Sequence, residues 1–320
     1  MSNNTKEIRR RIKSIGNTRK ITKAMEMVSA AKMRRAVAQV LAIRPYAHSA
    51  WSVLTNLARA LETHATGLLE VREVKSVLII VITSNRGLCG AFNAQIIKKI
   101  KHELANTARL KINRVGDRKI ESGLPDEKLN IDFITIGRKG EAIVRKLSRN
   151  IIATFPDLMY LPKAQDARAV AKVAMDDYLA KKYDKVVVIY TDYVSAITQH
   201  TKIRQILPIS KVDIEKQIAE MDSMAREYGL KEPKLEYMVE PGPKEVLDHI
   251  FPRLIEMQIY HAVLESNASK ESARMVAMRN ATEAAGDMAE GLTLAYNQIR
   301  QMKITQEIAE ISAGRAALEN

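Results

Sequence analysis

From Ala281 to Met302, small and apolar residues recur at Ala281, Ala285, Met288, Leu292, Ala295, Ile299 and Met302, in steps of four and three that never slip. This is the seam of a coiled coil, because a residue every 3.5 positions stays on the side of a supercoiled helix that faces its partner. No proline falls between Arg253 and Asn320, and the glycines there are Gly286, Gly291 and Gly314. The stretch reads as one helix of about 60 residues, roughly 90 Å long at 1.5 Å per residue. That exceeds the diameter of an ordinary domain, so part of it is expected to project from the globule.

The other end of the chain carries a second seam. Ile8, Ile12 and Ile15 are spaced four and three, and Ile21, Met25 and Val28 repeat the spacing after Gly16-Asn17. The stripe is narrow and the helix highly charged, as a coil requires and a broad core face does not. Pro45 is expected to kink or break this helix, since it removes a backbone donor. The pattern resumes through Trp51, Leu54, Leu57, Ala58 and Leu61. Two long terminal helices around a compact middle predict one antiparallel coiled coil.

Charge supports that pairing. The chain has 51 Lys and Arg against 37 Asp and Glu, a formal charge of +14. Residues 1–35 hold eleven basic residues and two acidic ones, Glu7 and Glu26, a net +9. Residues 271–320 hold five basic and seven acidic residues, a net −2. Exposed pairs are each worth under ~1 kcal/mol, so charge biases the pairing without driving it. Taken alone, the basic arm suits nucleic acid, acidic lipid or an acidic protein surface, or is simply a solvated helix face. A nucleic-acid binder would carry aromatics near its basic stretch, and residues 1–44 have none.

Between the helices the period changes. Ser76–Thr83 is a continuous apolar run ending at a glycine-containing loop, the pattern of a strand buried on both faces. Ile131–Ile136, Ile151–Phe155 and Lys185–Tyr190 read as further strands, and residues 92–105, 139–149 and 164–181 as helices. Ile197–Leu207 reads as extended, closing at Pro208. Strands alternating with helices of this length make a mostly parallel sheet. The fold class is therefore α/β: a long antiparallel coiled coil of the N- and C-terminal helices plus a central Rossmann-like α/β domain with a mostly parallel sheet. The expected division is 1–73 as N-terminal coil helix, 74–208 as α/β domain, 209–245 as connecting segment and 246–320 as C-terminal coil helix.

No catalytic constellation emerges. The loop Thr83–Asn93 follows a strand and opens a helix, where phosphate-binding loops sit. It lacks both the Gly-Lys-Ser/Thr ending of a P-loop and the three-glycine dinucleotide pattern, so it reads as a tight strand-to-helix turn. The six histidines do not pair at metal-ligand spacing. Cys89, the single cysteine, sits near Arg86 but reads better as a small apolar core residue than as an activated thiol. One cysteine excludes a disulfide framework and fits a reducing compartment. A hydrophobic fraction of 46% excludes wholesale disorder. The longest apolar run, Val77–Ile82, is far short of the ~20 residues needed to span a bilayer. No metal and no cofactor is expected.

At this point the residues themselves are recognisable. Ile21-Thr22-Lys23-Ala24-Met25-Glu26-Met27-Val28 with Ala31-Lys32-Met33 resembles the N-terminal helix of the gamma subunits of rotary, F-type ATP synthases. Ser84–Asn93 resembles that family's central loop. Ala273-Arg274-Met275-Val276-Ala277-Met278 and Ile304-Thr305-Gln306-Glu307-Ile308-Ala309-Glu310-Ile311 resemble its C-terminal helix. The resemblance implies a non-catalytic rotor shaft, one copy per complex. Its partners would be three alpha and three beta subunits, an epsilon subunit and a membrane ring of c subunits driven by H⁺ or Na⁺. The shaft would be peripheral to the membrane, at the cytoplasmic face. It would bind no nucleic acid.

The same resemblance implies that Lys20, Lys23 and Met25 face an acidic lever of a beta subunit. It places Arg300, Gln301 and Thr305 against a beta-subunit loop, and Arg274 and Glu307 in a polar set that supports coupling. Two stretches, Lys111–Leu129 and Val212–Lys234, look like additions. The second carries a helical stripe, Ile214, Ile218, Met221 and Ala225, that suits a regulatory element or surface decoration. Arg315 stands where the family usually has a small residue. The tip around Met302, Ala313, Ala316 and Ala317 is soft and weakly anchoring.

Overall fold

The structure, a computed structural model, describes residues 2–56, 67–115, 118–125, 128–159, 162–227 and 243–318. Seven helices in these ranges are α1 (Ser2–Asn56), α2 (Phe92–Ala105), α3 (Ala108–Lys111), α4 (Arg138–Lys146), α5 (Ala164–Leu179), α6 (Lys211–Glu227) and α7 (Pro243–Leu318). The strands are β1 (Ser76–Ile82), β2 (Ile112–Val115), β3 (Arg118–Glu121), β4 (Asn130–Ile136), β5 (Ile151–Phe155), β6 (Lys185–Tyr193) and β7 (Gln199–Leu207). Two compact units divide the chain, Met1–Ala30 with Arg274–Asn320, and Ala31–Ala273.

The second unit is built on a five-stranded sheet in the order β5-β4-β1-β6-β7. The first four strands are parallel, and β7 returns antiparallel to β6. Successive strand side chains point to opposite faces, so β1 serves two cores at once. Leu78, Ile80 and Ile82 meet Val170, Ala174 and Tyr178 of α5, with Leu254, Ile255 and Ile259 of α7 in the same cluster. Val77, Ile79 and Val81 meet Phe92, Ile96 and Ile100 of α2 and Val144 of α4. Each of these β1 side chains is fully buried, worth about 1.5–3 kcal/mol apiece. That double burial is why the strand reads as an unbroken apolar run.

Residues 251–272 of α7 lie in this unit and are buried at nearly every position, as a helix enclosed on all sides must be. Leu264 and Ala268 pack on Ala36, Val37 and Val40 of α1 and Met224 of α6. Ile218 and Met221 of α6 join the core beneath α5, so this helix is a packed element. Ile214 and Ala225, the other members of its stripe, have side chains outside the described residues. The stretch after Lys111 contains a hairpin, β2 against β3, with Ile112 opposite Glu121; nothing in the alternation of the sequence announced it.

Pro45 does not break α1, which is continuous from Ser2 to Asn56. A proline inside a helix costs about 3 kcal/mol. Here it sits between the buried residues Arg44 and Ala47, whose packing holds the helix together. The resumed pattern at Trp51, Leu54, Leu57, Ala58 and Leu61 falls on side chains outside the described residues. No helix among the described residues is long and apolar enough to cross a membrane.

The first unit pairs the start of α1 with the end of α7. Thr22 meets Thr282, and the Arg19 guanidinium lies beside Gly286; as one number rises the other falls, so the helices are antiparallel. Ile8, Ile12 and Ile15 are half-buried as expected. The second half of the predicted seam is not: Ile21 is 61% and Val28 54% exposed. The four-three spacing continues unbroken from Ile15 through Arg19, Thr22, Glu26 and Ser29, and Thr22 and Ser29 are the buried positions. Apolar identity pointed to Ile21 and Val28, but helix geometry keeps the seam in phase and puts hydroxyls inside. On α7, Met278, Ala285 and Gly286 are buried, whereas Met288 and Met302 point outward.

Candidate functional site

The loop after β1 is the first place to look for chemistry, since ligands of open α/β sheets bind beyond the carboxyl ends of the strands. Here the loop satisfies itself. Thr83 donates its backbone N–H to Ile136 O at 2.8 Å, and Asn85 Nδ2 donates to Pro156 O at 2.7 Å. The first N–H groups of α4, which would otherwise face an anion, are taken up from within. Arg138 N donates to Asn85 Oδ1 at 3.0 Å, Lys139 N to Ser84 O at 3.1 Å, and Gly140 N to Thr83 Oγ1 at 2.7 Å.

At the other end of the loop, Asn93 Nδ2 donates to Ser84 Oγ at 2.7 Å and to Cys89 Sγ at 3.2 Å. Cys89 is buried. Gly137 has φ +93, and a Cβ there would lie 2.2 Å from Thr83 O. The arrangement joins β1 to β4 and α4 tightly, and it is the strand-to-helix turn its sequence suggests. Among the described residues, no group of three His, Cys, Asp or Glu is disposed to hold a metal ion.

The first unit offers surfaces in place of a pocket. Eight of the eleven basic residues between Lys6 and Arg35 lie in it, with Lys32, Arg34 and Arg35 in the second unit, and all eleven are exposed. The two acidic residues of that stretch are occupied locally, Glu7 by Arg11 at 2.7 Å and Glu26 by Lys23 at 3.0 Å. Such exposed pairs contribute about 0.3–0.5 kcal/mol each. The arm therefore presents an unbalanced positive track, which attracts an acidic surface over about one Debye length. Lys20 and Lys23 lie on this track, and Met25 is half-buried beside them.

On α7 every residue from Arg300 to Ala313 is exposed. The register set by Thr22 and Thr282 brings Ser2 level with Met302. Ile304, Ile308 and Ile311 share a four-three spacing two residues out of step with Met302, so they form a stripe on another face of α7, and they are 49%, 59% and 73% exposed. Gln301 and Thr305 lie one turn apart and line a shallow open groove with Gln298, Met302, Gln306 and Ala309. Arg300 stands beside them.

Glu307 pairs with Lys303 of its own helix at 3.5 Å. Arg274 is half-buried near the other end of this unit. It is separated from Glu307 by 33 residues of continuous helix, about 50 Å, so those two do not meet. The same register sets Arg274 level with Ala30, little more than a turn past Met25. Ala316 and Ala317 have side chains outside the described residues. Sequence reasoning missed Arg19, Thr22 and Ser29 as seam residues; counting on from Ile15 by four and three would have found them.

The likeness to known proteins is spread over the whole chain. The family described as ATP synthase matches residues 4–318. The ATP synthase gamma chain of Chloroflexus aurantiacus is 40% identical over 317 residues, covering 98% of each chain. That of Legionella pneumophila is 36% identical over 313 residues, 98% of this chain and 99% of its own. Among solved structures, the central stalk and c-ring of Tetrahymena thermophila mitochondrial ATP synthase contains a chain that aligns with a TM-score of 0.56. The two share 25% identity over 82% of this chain and 99% of that one. A chain of the Euglena gracilis mitochondrial ATP synthase OSCP/F1/c-ring assembly aligns with a TM-score of 0.63 at 17% identity, over 99% and 95%, and shares the fold.

Proposed function

The chain belongs to the gamma-chain family of ATP synthases, and from that premise we propose that it is the central rotor shaft of such a machine. One copy stands inside a ring of three alpha and three beta subunits. Its α/β unit rests, with an epsilon subunit, on a membrane-embedded c ring driven by H⁺ or Na⁺. The shaft is peripheral to the membrane, at its cytoplasmic face. It makes and breaks no bond; the assembled complex makes or hydrolyses ATP.

One observation carries this reading. Ile304, Ile308 and Ile311 form an apolar stripe of their own, out of phase with the Ala281–Met302 seam, and stand exposed where the other residues from Lys303 to Ala313 are polar or small. An apolar stripe left open in this way calls for a surrounding protein surface. A single helix turning within a three-fold ring also presents a different face to each subunit at any instant. Lys20, Lys23 and Met25 face the acidic lever of a beta subunit, and Arg300, Gln301 and Thr305 meet a beta-subunit loop. Arg274 and Glu307 act at separate heights along the shaft. The eleven exposed cations of the arm then have protein carboxylates as partners, in place of the nucleic acid that their charge alone allowed.

Co-purification tests the assignment. The full chain expressed with its own alpha and beta partners is expected to form one complex with a single copy of the chain and to support ATP hydrolysis. Alpha and beta subunits that assemble and turn over equally well without it would defeat the proposal.

A further inference from the structure

Between β6, β7, α6 and α7 the second unit encloses a series of ionisable side chains that the shaft reading leaves unused. On α6, Glu220 accepts from Lys202 Nζ at 2.6 Å and from Arg204 Nη2 at 2.7 Å. Lys202 Nζ also reaches Asp192 Oδ2 at 2.5 Å. Asp192 is hydrogen-bonded to Glu265 of α7, and Glu265 Oε2 lies 3.4 Å from His261 Nδ1. The Arg204 guanidinium sits over the Tyr190 ring, 4.9 Å from its centre. Exposure falls along this path, from 34% at Glu220 and 35% at Lys202 to 6% at Asp192, 1% at Glu265 and none at His261.

Two carboxyl groups in hydrogen-bonding contact need a proton between them, because neither carboxylate can donate. Glu265 is the group that holds it. Asp192 has Lys202 as a counter-ion, whereas Glu265 has only His261 beside it on its own helix. Burial, reinforced by Arg204, holds the His261 imidazole down at about 3, so it is neutral and supplies no positive charge. Burial and the neighbouring Asp192 push Glu265 well above the usual carboxylate range, with Glu220 adding to the push and Arg204 opposing it. With Glu265 protonated the cluster balances, Lys202 and Arg204 against Asp192 and Glu220.

We propose that the proton shared by Glu265 and Asp192 is a pH-sensitive latch that sets how firmly α6 is held. When Glu265 gives up this proton it repels Asp192, and Arg204, which faces both Glu265 and Glu220, turns inward. Glu220 then keeps Lys202 alone. α6 is left with that pair, the Arg44–Asp222 ion pair at 2.7 Å, and the packing of Ile218, Met221 and Met224. The raised group sets the direction: the latch is fully closed at low pH and weakens as pH rises. Opening grows by up to about tenfold per pH unit between the ordinary carboxylate range and the raised value of Glu265.

Hydrogen exchange of the full-length chain from about pH 6 to pH 9, corrected for the intrinsic pH dependence of exchange, reads this directly. In the natural protein, protection of 211–227 relative to β1 is expected to fall by up to about tenfold per pH unit. In Glu265→Gln, which keeps the shape and cannot ionise, the ratio is expected to be flat. Equal slopes in the two proteins overturn the proposal, as does a loss shared equally by α6 and β1. Should Glu265→Gln fail to fold, Asp192→Asn decides. It removes a carboxylate that adds to burial in keeping Glu265 protonated, so the fall is expected to end at a lower pH and the slope across pH 6 to 9 to be shallower, and an unchanged slope overturns the latch.

Discussion

The hydroxyls of Thr22 and Thr282, 260 residues apart in sequence, meet at 2.7 Å inside the coil. Each also reaches a carbonyl of its own helix, Thr22 that of Arg19 at 3.0 Å and Thr282 that of Met278 at 2.8 Å. Two hydroxyl protons thus serve three contacts across a seam that would otherwise be apolar. A buried polar pair of this kind fixes register, because a slip by one heptad would leave each hydroxyl against a non-partner. Thr282→Val is expected to cost about 1 kcal/mol in thermal unfolding of the full chain. The double replacement with Thr22→Val should recover part of that loss, because both partners are then apolar and nearly isosteric. A double variant whose cost is the plain sum of the singles would show that the hydroxyls do not interact.

Glycines in the coil make the opposite prediction from the glycine at the sheet. A Cβ at Gly16 would meet nothing within 4 Å, and one at Gly286 would touch the Arg19 guanidinium at 3.6 Å, an ordinary contact. Gly16→Ala and Gly286→Ala are each expected to stabilise the helix by about 0.5–1 kcal/mol. Gly137→Ala, with φ +93 and the Thr83 carbonyl in the way, should cost at least about 2 kcal/mol. Denaturant midpoints of the three variants check the contrast. A destabilised Gly286→Ala would mean that Arg19 cannot give way.

Acid should weaken the α/β unit through His261. Its imidazole is fully buried and held at about 3, against an ordinary value of 6.5. A depressed group contributes stability that is complete above the ordinary value and is lost as pH falls toward the depressed one. The loss is therefore expected between about pH 6.5 and 3, at roughly 1.4 kcal/mol per pH unit for this group. In His261→Gln the chain should lose this part of its acid sensitivity, read as a shallower dependence of melting temperature on pH across that window. An unchanged dependence would assign the acid lability to other groups.

The positive track predicts a salt-sensitive phenotype. Lys20→Glu with Lys23→Glu replaces two exposed cations and also breaks the Lys23–Glu26 pair, which is worth only about 0.3–0.5 kcal/mol. Folding should be unaffected, while ATP-driven turnover of the assembled complex falls, most at low ionic strength where screening is weakest. Turnover equal to the natural protein at low salt would remove these residues from the coupling surface.

Much of this architecture is legible in the sequence because burial dictates the alphabet. Val77–Ile82 is apolar at every position since both of its faces are covered, and the period of α7 follows from having a partner on one side. Where burial is not apolar, the signal fails. Thr22 and Ser29 are inside and Ile21 and Val28 outside, so hydrophobicity named the wrong face although spacing had the right one. Glu265 and His261 read as ordinary polar helix residues, because only tertiary contact brings Asp192, Lys202 and Arg204 to them. The β2–β3 hairpin carries too short an alternation to stand out. Lys20, Arg300 and Thr305, proposed to meet beta subunits, are exposed helix positions that no folding rule marks, and only family resemblance singles them out.

Rotation tests the central claim most directly. Ile197, at the turn between β6 and β7, is 83% exposed, while Cys89 is 2% exposed, so a probe on Ile197→Cys labels one site. With the alpha and beta partners fixed to a surface, addition of ATP is expected to drive stepwise rotation of that probe in a single direction, with three-fold pauses set by the ring. A probe that stays still, or only fluctuates, while the same complexes hydrolyse ATP would contradict the account.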